Sequence, residues 1–168
     1  MTTFWHKVID DVEITLEANP DDIDKFKLKE WKQAGVNRLS MGVQSFFEED
    51  LIWMNRAHNA FQSENSILMI LEEGFKNFTI DLIFGLPHLT DKNWIKNIEK
   101  AIGFGIPHLS CYALTVENRT ALHAFIQNKK TPDIDTDQQA RHFNILMQQL
   151  ESAGYDQYEI SNFAKPGY

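Results

Sequence analysis

Phe78-Thr79-Ile80-Asp81-Leu82-Ile83-Phe84-Gly85-Leu86-Pro87 decides the fold. The first seven residues are apolar on both alternating faces apart from Thr79 and Asp81, the pattern of a strand covered on both sides in a parallel sheet. The Gly-Leu-Pro turn ends the strand, and Thr90-Asp91 supplies a helix cap just beyond it. Working outward, the same grammar recurs. Upstream, Arg38-Leu39-Ser40-Met41-Gly42-Val43 reads as a strand ending at Gln44. Ser45-Phe46-Phe47-Glu48 then has the spacing of a capping box and starts a short helix through Trp53, and a second helix runs from Phe61 to Glu73. Before it, Val12 to Glu17 reads as a strand that stops at Asn19-Pro20. Asp21-Asp22 opens a helix carrying Ile23, Phe26 and Trp31 that ends at Gly35.

Downstream, Gly103 and Gly105 close the helix begun at Thr90, and Leu109 to Leu114 is the next strand. A polar loop through Thr115 and Glu117 leads to a short helix from Ala121 to Ile126. Lys129 to Asp135 is the best linker candidate. Thr136 with Gln139 is placed to cap a long helix bearing Phe143, Leu146, Met147 and Leu150, and Tyr155 to Ile160 is read as a last strand. Strand starts near 12, 38, 77, 108 and 155 imply an α/β chain of right-handed βα units, either a doubly wound sheet or an arc of a barrel. Both architectures gather ligands at the carboxyl ends of the strands.

Composition narrows the function classes. With 43% hydrophobic and 12% aromatic residues, the chain is neither disordered nor fibrous. Its net charge of −8 is the wrong sign for neutralising phosphates, so nucleic acid is not an expected partner. A single cysteine, Cys111, excludes an intrachain disulfide, a Cys-rich zinc site, and an iron–sulfur cluster held by this chain alone. No apolar run is long enough for a transmembrane helix and Met1 to His6 has no signal-peptide pattern, so a cytoplasmic location is expected.

Glu17, Gln44, Asp81 and the Tyr112 to Thr115 segment fall at the ends of successive strands, where either architecture brings them around one mouth. Polar residues at strand ends also simply meet solvent, which is the competing reading of Glu17 and Gln44. Asp81 carries more weight, because a carboxylate among Ile80, Leu82, Ile83 and Phe84 needs a hydrogen-bond donor or a cation. The donor is a cofactor hydroxyl, the Arg56 guanidinium or loop backbone in a structural role; Arg56 itself has the planar fork that grips carboxylates, or is merely solvated. The six histidines form no HExxH pair. Ser40 and Ser110 lack a nucleophile elbow, and no phosphate-binding glycine loop is present. Gly103-Phe104-Gly105 ends a helix, and Trp5, Trp31, Trp53 and Trp94 read as packing residues.

In Leu16-Glu17-Ala18-Asn19-Pro20, Gly35 to Phe46, Ile80 to Pro87, Leu114-Thr115-Val116-Glu117 and Tyr158 to Tyr168, the chain resembles the radical S-adenosylmethionine enzymes of the oxygen-independent coproporphyrinogen III oxidase group. The Glu-Ala-Asn-Pro and Leu-Thr-Val-Glu wordings resemble that group's HemW-like heme chaperone branch. The resemblance implies part of a (β/α)6 partial TIM barrel with S-adenosylmethionine across its mouth. Glu17, Gln44 and Asp81 would contact the nucleoside and polar parts of that cofactor, Arg56 its carboxylate, and Thr115 would join them from the loop. It also implies a [4Fe–4S] cluster whose three-cysteine motif precedes the Glu17 strand, so that residues 1–168 read as the central and later part of the barrel in a longer protein. This chain alone is expected not to turn over. The intact protein would bind heme and deliver it to an acceptor protein; the alternative is oxidative decarboxylation of coproporphyrinogen III.

Overall fold

The computed structural model describes residues 12–168, and Trp5 and the start of the chain lie outside them. Six strands form one sheet in the order β1-β2-β3-β4-β6-β5. They are β1 (Thr15–Ala18), β2 (Arg38–Gln44), β3 (Phe78–Phe84), β4 (His108–Ala113), β5 (Asp156–Glu159) and β6 (Asn162–Ala164). β1 through β4 are parallel neighbours, with Leu39 beside Phe78, Ile80 beside Leu109 and Asp81 beside Ser110. The helices α1 (Lys25–Gln33), α2 (Glu48–Trp53), α3 (Ala60–Glu72), α4 (Asp91–Gly103), α5 (Ala121–Gln127) and α6 (Thr136–Ser152) occupy the crossovers. The chain is therefore the α/β arc of βα units that the strand spacing implies.

The end of the chain departs from that expectation. Tyr155 to Ile160 does not pair with β4: β5 covers Asp156–Glu159, runs in the same direction as β1–β4, and turns back into β6, which lies between β4 and β5 and is antiparallel to both. All four residues of β5 are exposed, so no apolar alternation marked which strand it pairs with. Three helix starts also differ. Pro20–Asp22 is a single 3₁₀ turn, and Asp24, not Asp21 or Asp22, caps α1 by accepting from the Phe26 and Lys27 amides. Asp135 rather than Thr136 caps α6, accepting from Asp137 and Gln138. Ser45 closes no capping box with Glu48. Its hydroxyl accepts from the Phe47 amide and donates to the buried Asp50 carboxylate, while Glu48 accepts from the Ala60 amide.

The core lies between the sheet and its helices. Phe78, Ile80, Leu82, Leu109, Trp94, Ile98 and Leu146 are fully buried, each stabilising the fold by about 1.5–3 kcal/mol relative to exposure. Trp94 on α4 donates its indole N–H to the His142 carbonyl of α6 at 2.9 Å, tying the two helices that cover β3. His142 accepts the Gly85 amide at Nδ1, and its Nε2 faces the Asp91 carboxylate at 3.2 Å. Burial holds this imidazole below its usual pKa. The turn after β3 is thereby pinned from behind, and it fixes where the strand's polar face points.

Candidate functional site

Residues two apart on a strand share a face. On β3 the face opposite the core carries Thr79 and Asp81; on β4 it carries His108, Ser110 and Tyr112, and on β2 Ser40, Gly42 and Gln44. With Glu17 of β1 these residues line a cavity of about 590 Å³ on the concave side of the sheet. A closed barrel packs this space with branched apolar side chains. Here hydroxyls, carboxylates and amides replace them, so the lumen is built to be wet or to hold a polar ligand.

Gln44 stands out. It ends β2 with φ 60°, a left-handed backbone that non-glycine residues seldom adopt. Its side chain lies back over Gly42, where an added Cβ would come within 2.8 Å of Nε2. The amide oxygen Oε1 is buried without a hydrogen-bond partner, a costly state unless a ligand donates to it. Asp81 is pushed up to about 6, chiefly by burial and further by the Glu17 charge, against Ser110, Arg38 and Arg56, which favour the carboxylate. Glu17, Asp22 and Asp81 together give the lumen an acidic lining relieved by Arg38 alone among its fixed charges. That lining suits a ligand carrying positive charge and hydroxyl donors.

A hydrogen-bonded row floors the cavity. His108 pairs with Thr79 Oγ1 at 2.6 Å through Nδ1 and with the Tyr158 hydroxyl at 2.7 Å through Nε2. Ser110 donates to Asn162 Oδ1 at 2.8 Å. Burial lowers the His108 pKa, so the row is built on a neutral ring. From sequence, Ser110 reads only against a nucleophile elbow and His108 only against a metal-binding pair, so the row they form with Thr79, Tyr158 and Asn162 is not anticipated. The signal was present as polar residues at alternate positions: Arg38, Ser40 and Gln44, then Thr79 and Asp81, then His108, Ser110 and Tyr112.

Glu17, Gln44 and Asp81 are thus brought together, as their strand-end positions imply. Arg56 is not on the lumen wall. It projects from the turn after α2 into a neighbouring cleft and donates through Nη2 to Asn19 Oδ1 at 3.0 Å, and Asn19 does line the lumen. Thr115 is exposed in the loop after β4 and does not line the cavity. Among the described residues no group of three or more His, Cys, Asp or Glu side chains is placed to hold a metal ion. Cys111 is fully buried in β4, and burial raises its thiol well above the ordinary range.

Fold and site define an α/β-barrel type of protein with a polar, acidic cavity beside its parallel strands. The radical SAM superfamily model matches residues 6–101, and the chain belongs to that superfamily. It is 41% identical over 155 residues to the heme chaperone HemW of Bacillus subtilis, covering 92% of this chain and 41% of that protein. The heme chaperone HemW of Escherichia coli is 38% identical over 94% of this chain and 41% of its own length. A mouse protein, mitochondrial radical S-adenosyl methionine domain-containing protein 1, is 37% identical over 94% of this chain and 36% of its own length. The chain therefore spans about two-fifths of the curated relatives it matches. Among solved structures, the coproporphyrinogen III oxidase HemN of Escherichia coli superposes with a TM-score of 0.80 at 27% identity, over 94% of this chain and 36% of that one. Archaeal Elp3 from Methanocaldococcus infernus, at 18% identity and a TM-score of 0.68, shows the shared fold alone.

Proposed function

We propose that this chain is the S-adenosylmethionine-binding part of a heme chaperone that binds heme and delivers it to an acceptor protein in the cytoplasm. The observation that carries the proposal is the unpaired, buried Gln44 oxygen facing the same acidic lumen as Glu17 and Asp81. The identity to heme chaperones supports the cargo, and a chain with one cysteine and no membrane-crossing helix among its described residues is consistent with the location.

S-adenosylmethionine offers a sulfonium, an ammonium, a ribose diol and a carboxylate, and when bound it supplies an activated carbon–sulfur bond. Glu17 accepts from the ribose hydroxyls, Gln44 Oε1 takes a donor from the nucleoside, and the ionised Asp81 faces the positive part of the cofactor. Arg56, held at the rim by Asn19, reaches the cofactor carboxylate with its planar fork. Thr115, in the exposed loop after β4, is the remaining residue assigned to the cofactor. A radical SAM protein also carries a [4Fe–4S] cluster, and this chain's donor set does not fit one. It has a single thiol, buried and held protonated. The cluster ligands are not among its residues.

Two measurements test the proposal. Calorimetric titration of the chain with S-adenosylmethionine is expected to give one saturable site that weakens about a hundredfold in Asp81→Ala, the loss of a charge-assisted contact worth roughly 3 kcal/mol. Equal affinity in a folded variant overturns the cofactor site. For the function, the intact protein with its cluster reconstituted is incubated with coproporphyrinogen III, S-adenosylmethionine and a reductant. No decarboxylated product is expected by mass spectrometry, and stoichiometric heme uptake is expected in a parallel absorbance titration with added hemin; decarboxylated product makes it an oxidase.

A further inference from the structure

Beside the lumen, on the far side of Arg56, lies a second concavity of opposite character. Two clefts of about 330 and 320 Å³ share Trp53, Leu122 and Phe125 and form one groove between α2 and α5. Ile83 and Leu114, at the ends of β3 and β4, line its inner wall. Trp53 is half-buried and meets the His88 ring in a tilted contact at a centroid distance of 5.7 Å and an interplanar angle of 53°. Phe125 is 48% exposed although it is aromatic. An aromatic-lined groove left open to water in this way marks a binding surface.

Its polar groups are as informative as its walls. Arg56 stands at one end and Lys130 at the other, with Lys130 Nζ held over the Phe125 ring at 5.9 Å. No acidic side chain lines either cleft, in a chain whose net charge is −8. Flat aromatic walls with cationic ends and no carboxylate complement a planar apolar molecule that carries peripheral carboxylates.

We infer that the groove between α2 and α5 is the heme-holding surface: Trp53 and Phe125 cover the macrocycle, while Arg56 and Lys130 pair with its propionates. The inference rests on the proposed chaperone function, which supplies the cargo; the groove supplies the place. It also gives Arg56 a position between two ligands. Asn19 of the lumen rim holds the guanidinium on one side, and the groove opens on the other. The cargo then lies next to the cofactor mouth without entering the acidic lumen, whose charge repels propionates.

Hemin binding, followed by the rise of its absorbance band in titrations of the full protein, tests this. The wild type is expected to take up one equivalent. Arg56→Ala is expected to bind about tenfold more weakly, and Phe125→Asp, which sets a carboxylate where the propionated ring lies, to bind at least a hundredfold more weakly. Phe61→Asp, at an exposed aromatic 75% accessible on α3, controls for nonspecific adsorption and should match the wild type. Iron-free protoporphyrin IX should compete, and its dimethyl ester should not, because the groove recognises ring and carboxylates. Circular dichroism of each variant separates lost binding from lost fold, and both substituted groove side chains are exposed. Saturable hemin uptake that survives Phe125→Asp and Arg56→Ala overturns the groove and leaves the chaperone function standing. Absence of saturable uptake by the wild type overturns both.

Discussion

Asp81 shows how one residue can serve a site at the expense of the fold. Its carboxyl is raised to about 6, mainly because burial penalises the charge, so ionisation costs more in the folded chain than in the unfolded one. The contribution of the neutral carboxyl to stability is complete below the unfolded value near 3.8. It is lost as pH rises through about 6, where the folded carboxyl ionises. Asp81→Asn removes the ionisation and keeps the shape. The variant is therefore expected to match the wild type near pH 4 and to be about 1–2 kcal/mol more stable at pH 7.5, a figure reduced for partial exposure to solvent. Urea unfolding at the two pH values measures it, and a gain independent of pH would remove ionisation as the cause. If the ionised carboxylate holds S-adenosylmethionine as proposed, affinity for it should fall as pH drops below 6. Asp81 was legible in the sequence because a carboxylate inside an apolar run demands a partner. Gln44 was legible only as a strand end, since neither its left-handed backbone nor its orphaned amide oxygen follows from neighbouring residues.

Among elements, the turn between β3 and α4 concentrates the constraints. Gly85 adopts φ +77°, and a Cβ there would come within 2.4 Å of Gln139 Cγ on α6. Its amide donates to the buried His142 ring, and Gln139 Nε2 donates to the Leu114 carbonyl beyond β4. Gly85→Ala therefore combines a strained backbone with displacement of the side chain that ties α6 to β4. It is expected to cost about 2–3 kcal/mol, read as a lowered urea midpoint at unchanged slope. A loss below 0.5 kcal/mol would mean α6 moves freely over the turn. The Gly-Leu-Pro punctuation announced the turn, but the side chain packed on it comes from 54 positions later in the chain. The same limit explains the helix starts. Asp24 and Asp135 cap because of local backbone geometry that several neighbouring Asp and Thr residues could equally have supplied. Ser45, spaced for a capping box, is drawn instead into a buried network with Asp50 and Asn97.

Across the whole molecule, the parallel half of the sheet was legible because its strands carry buried apolar residues and end at turn or helix-cap signals, and the antiparallel end was not because β5 buries nothing. The lumen and the groove depend on strands and helices far apart in sequence, so only their individual residues, not their opposite characters, were readable beforehand. The structure joins them at the Arg56–Asn19 contact, with an acidic polar cavity on one side and an aromatic groove with cationic ends on the other. A ligand held by Glu17, Gln44 and Asp81 bridges β1, β2 and β3, which are otherwise linked there by backbone ladders and the Arg38–Thr15 hydrogen bond. Binding must then stabilise these strands together. At a hundred times its dissociation constant, S-adenosylmethionine should add about 2.7 kcal/mol, raising the melting temperature by about 5–10 °C for a chain of this size. Hydrogen exchange should slow across Thr15–Ala18, Arg38–Gln44 and Phe78–Phe84, while α5, which touches only the groove, exchanges as before. Hemin should produce the reverse pattern, protecting α5 and the end of α2 and leaving β1 unchanged. Protection of α5 by S-adenosylmethionine, or of β1 by hemin, would show that cavity and groove are one site rather than two adjoining ones.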